Sequence, residues 1–111
     1  MGMFNTGADF SLISPQEAHQ AMSASDQYIL LDVRTASEYK EVRIDGAKLI
    51  PVDELSRRAP RELPDKHIPV FTYCRSGIRA ATAAKLLTGM GYTKVFSIGG
   101  IASWPYGIIK G

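Results

Sequence analysis

Short apolar runs alternate with longer amphipathic stretches along this chain, and that alternation narrows the fold to βα units around a mostly parallel sheet. The run YILLDV at 28–33 constrains it most. It is near-continuously apolar, as a strand covered on both faces must be, and its one charge, Asp32, sits near the C-terminal end. Further strands are expected at 10–13, at 48–50 before Pro51, at 70–73 and at 94–98. Between them lie helix starts. Ser14-Pro15-Gln16-Glu17 reads as N-cap, first-turn proline and capping box, opening a helix to about Met22. Thr35-Ala36-Ser37-Glu38 is a second capping box. A brief helix is expected at 53–55, then an irregular stretch at 57–69 holding Pro60, Pro64 and Pro69. Residues 80–88 are strong helix formers, with Ala84 and Leu87 facing the core beside Ala80 or Ala81, and Gly89 or Gly91 closing the helix. A short helical turn is expected around 102–104. The expected architecture is one α/β domain over 1–111, with a five-stranded, mostly parallel central sheet, helices on both faces and a flexible N-terminal segment at about 1–9.

Composition enters by exclusion. At 111 residues there is room for one domain, and 45% hydrophobic against 22% charged residues is the balance of a globular fold. A disordered tail, a collagenous repeat and a disulfide scaffold are ruled out. The longest uncharged run, 95–109, has 15 residues interrupted by Ser, Gly and Pro, short of the roughly 20 apolar residues of a spanning helix, so no membrane partner is expected. The start MGMFNTGADF lacks a basic patch and a signal-peptide core, and a cytoplasmic location is the expectation. A net charge of +2 is too near balance to suggest nucleic acid. One cysteine, Cys74, and two scattered histidines make a poor metal site; no metal or organic cofactor is expected.

Cys74 directly follows an expected strand, and the tight loop 74–79 leads into a helix. In an open α/β sheet, ligands sit beyond the carboxyl ends of the strands. There the helix N-terminus brings unpaired N–H groups and positive dipole together, which favours an anion. The thiolate of Cys74 is the first such anion, so a lowered thiol pKa is expected. Arg75 and Arg79 add positive charge at a helix end that otherwise disfavours it. Gly77 lets the amides turn inward as an anion-binding nest requires. A nucleophilic sulfur in such a cradle suits transfer of a sulfane sulfur or of a phosphoryl or arsenate oxyanion. Four residues separate Cys74 from Arg79, one fewer than the C-x5-R loops that hold a tetrahedral phosphate. The shorter ring favours sulfur transfer over a phosphatase or arsenate reductase.

Four segments, in order, resemble the motifs of the rhodanese family: LLDVRTASEY at 30–39, RIDGAKLIP at 43–51, YCRSGIRA at 73–80 and GGIASW at 99–104. Nearly the whole chain is similar to a single-domain rhodanese. The resemblance implies a sulfurtransferase in which Cys74 carries the sulfur. The amides of Arg75, Ser76, Gly77, Ile78 and Arg79 would hold the persulfide, and the arginines would attract small anionic donors such as thiosulfate. Asp32 and Arg34 match supporting positions, with Arg34 expected to pair with Glu38. Val42-Arg43 stands where the family often has Gly-His, which bears on packing rather than on the nucleophile. With no second rhodanese domain in the sequence, donor and acceptor would meet Cys74 on an open face or at an interface with another chain. A persulfide carrier serving a protein donor or acceptor is the alternative.

The remaining residues carry plainer expectations. Asp32 satisfies loop amides. Tyr39, Tyr92 and Trp104 pack in the core or at its rim, His19 and His67 are solvated, and Arg57, Arg58 and Arg61 form a solvated basic cluster. Gly89, Gly91, Gly99 and Gly100 are turn and cap glycines, because no G-x-G-x-x-G follows a strand.

Overall fold

The computed structural model describes residues 10–111. In chain order its strands are β1 (Ser11–Leu12), β2 (Ile29–Asp32), β3 (Val42–Arg43), β4 (Lys48–Leu49), β5 (Val70–Cys74), β6 (Val95–Gly100) and β7 (Ile109–Lys110). The helices are α1 (Pro15–Ala24), α2 (Ala36–Glu41), α3 (Leu55–Glu62) and α4 (Ile78–Gly89). Five strands form an all-parallel sheet in the order β1-β6-β5-β2-β4, with β5 at its centre and all five of its residues buried. The expected N-terminal segment 1–9 lies outside the described residues.

Strand alternation distributes the core over two faces. Ile29, Leu31, Val70, Cys74 and Val95 pack with Leu55, Ala59, Ala80, Ala84 and Leu87, so α3 and α4 cover one face. Leu30, Phe71, Tyr73 and Ile98 pack with Ala18, Met22 and Tyr39, which places α1 and α2 on the other. The expected α/β sheet with helices on both faces is the one observed.

Both capping boxes form. Ser14 Oγ accepts from Glu17 N–H at 3.0 Å and Thr35 Oγ1 from Glu38 N–H at 3.2 Å, with each glutamate returning to its cap's N–H.

Three expectations are corrected. The stretch from Arg57 is helical as far as Glu62, despite Pro60. Leu55 and Ala59 bury one side of that helix, with Leu63 just beyond its end, while Arg58 bridges Glu54 at 3.1 Å and Glu62 at 2.6 Å. Pro60 lies on the exposed side of the helix, away from the core that Leu55 and Ala59 face. Arg58 is therefore paired, unlike the solvated cluster expected. Second, α4 begins at Ile78 rather than Ala80, which shortens the loop after Cys74 to Arg75, Ser76 and Gly77. Third, β3 and β7 pair antiparallel in a small second sheet that residue patterns of two do not announce.

Candidate functional site

Cys74 is the last residue of β5, 1% exposed, with its side chain in the α4-side core. The chain then turns through Arg75 and Ser76 to Gly77, whose φ of +112° is one that L side chains rarely adopt. That turn points the Gly77 N–H back at Cys74 Sγ, to which it donates at 2.9 Å. The first bond of α4 runs from Ala81 N–H to Gly77 O at 3.0 Å. The N–H groups of Ile78, Arg79 and Ala80 thus have no acceptor within the helix, and they lie at the positive end of its dipole. Thr72, buried two residues before Cys74, donates from Oγ1 to Ala80 O at 2.9 Å, tying the first turn of α4 to the strand that carries the thiol. Arg75 and Ser76 are exposed, as is Ile78 at 77%.

The loop rests on β6. Cys74 is paired with Gly100 across an irregular register. A Cβ at Gly100 would lie 2.7 Å from the Arg75 carbonyl carbon and 2.9 Å from Ser76 Cα, closer than real Cβ atoms approach. Gly100 is extended, with φ −119°, so space and not backbone freedom demands glycine there. Gly100 caps the short helical turn at 101–103, in keeping with the cap glycine expected, and it also carries the loop; its place in the GGIASW segment is the available clue to that second role.

Asp32 ends the neighbouring strand, β2, and Arg34 follows two residues later; they are 0% and 3% exposed. Arg34 Nη2 reaches Asp32 Oδ2 at 2.7 Å and Nε reaches Oδ1 at 3.0 Å, while the Arg34 N–H donates to Oδ1 at 2.9 Å. Nη2 also donates to Val42 O at 2.5 Å, which fixes the chain after α2. Burial acts to lower the Arg34 pKa, but its bonds to the Asp32 carboxylate outweigh that and hold it above the ordinary value. The same cation lies 5.6 Å from the centroid of the Tyr73 ring, whose hydroxyl accepts from Ile44 N–H at 3.1 Å. Burial raises the Tyr73 phenol well above its usual range.

The expected Arg34–Glu38 pair is not made. Arg34 is held by Asp32, and Glu38 binds Arg79 through two bonds of 2.7 and 3.0 Å. Glu38 thereby joins the cap of α2 to the first turn of α4. Its bonds to the Arg79 guanidinium hold its carboxyl at about 2, and the same bonds raise Arg79. Of the two loop arginines, only Arg75 is left without an ion pair among the described residues. Glu38 is expected from sequence as a cap and as the partner of Arg34, and its pairing with Arg79 is missed because nothing local in the chain brings residues 38 and 79 together.

Tyr39 and Tyr92 pack as expected, donating to Ala47 O at 2.7 Å and to Ala59 O at 3.1 Å. His19 and His67 are both exposed, as expected; His19 also stacks on Tyr106, and His67 Nδ1 lies 3.2 Å from Thr93 Oγ1. Among the described residues, no group of three His, Cys, Asp or Glu could hold a metal ion, and no helix is long and apolar enough to cross a membrane.

Residues 14–105 match the family model described as the rhodanese-like domain. The chain is 35% identical over 81 residues to the thiosulfate sulfurtransferase PspE of Escherichia coli, covering 73% of this chain and 78% of that one. It is 32% identical over 93 residues to a sulfurtransferase of Allochromatium vinosum, covering 83% and 85%. Among solved structures, a rhodanese with anions from E. coli superposes with a TM-score of 0.71 at 33% identity, over 76% of this chain and 99% of that one.

Proposed function

The chain belongs to the rhodanese-like domain family, and from that premise we propose that it moves a sulfane sulfur from thiosulfate, or a similar anionic donor, to a thiophilic acceptor through a persulfide on Cys74. The observation that carries this reading is the Gly77 N–H aimed at Cys74 Sγ, at the start of a 12-residue helix whose first amides have no acceptor within it. The Cys74 thiolate attacks the outer sulfur of thiosulfate. A Cys74 S–S bond forms, the donor's S–S bond breaks, and sulfite leaves with the electron pair. The acceptor, cyanide or a thiolate, then attacks the outer sulfur and regenerates the thiolate. No metal or organic cofactor enters either step.

Geometry suits a transfer of one atom. Cys74 itself is buried, and an S–S bond of about 2.05 Å carries the outer sulfur from it toward the mouth of the loop. There the amides of Arg75, Ser76, Gly77, Ile78 and Arg79 would hold the persulfide. Arg75 supplies the accessible charge for the donor, whereas Arg79 acts through Glu38 to fix the loop. Asp32 and Arg34 brace the adjoining strand end. The three-residue turn between β5 and α4 leaves little room for a tetrahedral phosphate.

A second reading, a persulfide carrier handing sulfur to a protein, is favoured by one observation: Ile78, 77% exposed beside the loop, offers apolar contact that thiosulfate and cyanide cannot use. Steady-state transfer from thiosulfate to cyanide tests the primary reading. Turnover is expected in the wild type and absent from Cys74→Ser of unchanged circular dichroism; retained turnover in that variant would sink it. Slow turnover with thiosulfate but fast sulfur exchange with a protein persulfide would favour the carrier.

A further inference from the structure

On the α1 side of the sheet, the segment after β6 builds an aromatic corner that sulfur transfer does not use. Tyr106 stacks on His19, with ring centroids 3.9 Å apart and planes 8° from parallel. Trp104 stands across both, 5.1 Å from Tyr106 at 72° and 6.3 Å from His19 at 63°. These rings, with Tyr28 and Asp45, line a cavity of about 220 Å³. Asp45 is exposed, Tyr106 is 40% exposed, and Asp45 is in no ion pair among the described residues.

Past Met22 and Tyr28 the cavity adjoins a second of about 690 Å³, which Asp26 and the last residues of α1 line. The carbonyl end of that helix carries partial negative charge, and its last turn contains no basic residue. Lys48, which also lines this second space, pairs with Glu62 at 3.1 Å.

Apart from Lys48, whose charge Glu62 matches, these features favour positive charge. The faces of aromatic rings are negative, and walls standing nearly at right angles can both turn a face to one cation. A carboxylate at the rim and a helix C-terminus alongside add to the same sign of potential. The smaller cavity is below the about 300–1,000 Å³ of drug-sized ligand sites, a size for a headgroup rather than a large molecule. We propose that this groove binds an organic ammonium cation, a protonated or quaternary amine, against Trp104 and Tyr106 with Asp45 as its counter-charge.

Trp104 is the chain's single tryptophan, so tryptophan fluorescence and the one indole N–H resonance report on this groove. The probe is tetramethylammonium chloride, titrated at constant ionic strength, with tert-butanol as the neutral match in shape and sodium chloride as the salt control. A saturable change is expected with tetramethylammonium alone. Its midpoint should weaken about fivefold in Asp45→Asn and about tenfold in Tyr106→Leu, while thiosulfate–cyanide turnover stays at the wild-type rate in both. Asp45 is exposed and makes no ring contact, so Asp45→Asn tests the charge with packing intact, whereas Tyr106→Leu also removes the stack on His19 and the contact with Trp104. An absent or non-saturating response, an equal response to tert-butanol, or a midpoint unmoved by Asp45→Asn would overturn the proposal.

Discussion

Two neighbouring strands meet the need for charge at their carboxyl ends in opposite ways. β2 and β5 are paired in parallel, Asp32 opposite Tyr73, so both deliver their last residues to the same end of the sheet. At the end of β2 the anion is the chain's own: Asp32 is enclosed by the guanidinium and N–H of Arg34, and both residues are buried. At the end of β5 the helix start and Arg75 gather around a thiol, and among the described residues no carboxylate is hydrogen-bonded to the amides of residues 75–79. The Glu38 carboxylate stands to one side and holds Arg79. A strand end whose charges are matched internally becomes scaffold. One whose donors are left unmatched can receive an anion from outside.

Breaking the β2 end should cost stability first. Asp32→Ala leaves the Arg34 charge buried without its carboxylate, and a loss of about 3–5 kcal/mol in urea unfolding is expected. A loss below about 1 kcal/mol would mean that water reaches Arg34, and that the two ends differ less than their burial suggests.

Gly100→Ala acts on the β5 end through space. The added methyl collides with the backbone of Arg75 and Ser76, so the loop must shift, at about 1–3 kcal/mol of stability. Sulfur transfer should fall roughly tenfold or more, because small displacements of a reacting group are costly to rate. Turnover equal to the wild type would show that loop position does not matter.

Glu38→Gln lies between the two ends. The pair is partly exposed, 28% and 35%, so its removal should lower stability by only about 0–1 kcal/mol at neutral pH. The pH dependence is more telling. The Glu38 carboxyl is held at about 2, below the 4.5 of an ordinary glutamate. Its contribution to stability is therefore complete above pH 4.5 and is lost as pH falls toward 2. Unfolding measured across that window should show a shallower acid limb in the variant. Glu62, held at about 2 by Arg58 and Lys48, keeps part of the limb in both proteins.

The smallest effect is expected at Arg75. It is exposed, and Arg75→Ala should leave stability within about 0.5 kcal/mol of the wild type. The KM for thiosulfate should rise about fivefold, what ~1 kcal/mol of one charge pair in water supplies, and added salt should shrink the difference. An unchanged KM would place donor recognition on the amides alone.

Much of this was legible in the chain because local rules dominate where they are strong. The near-continuous apolar run of β2, both capping boxes, and the strand–cysteine–helix order all act over a few residues, and each appears in the order those rules put it. The misreadings share another cause. Glu38 and Arg79 are 41 positions apart, and Glu38 satisfies its local role as a cap so fully that its second partner leaves no trace in the pattern. Gly100 is required by the backbone of a loop some 25 residues away, visible only once β5 and β6 are paired. Pro60 argued for irregular chain, but burial of Leu55 and Ala59 and the bridges of Arg58 outweigh one lost hydrogen bond on an exposed face.

The most direct measurement is the intact mass of the protein after brief exposure to thiosulfate and again after cyanide. The account predicts a gain of one sulfur atom, erased by cyanide and absent in Cys74→Ser. No gain in protein whose Cys74 still alkylates readily, or the same gain in Cys74→Ser, would contradict it.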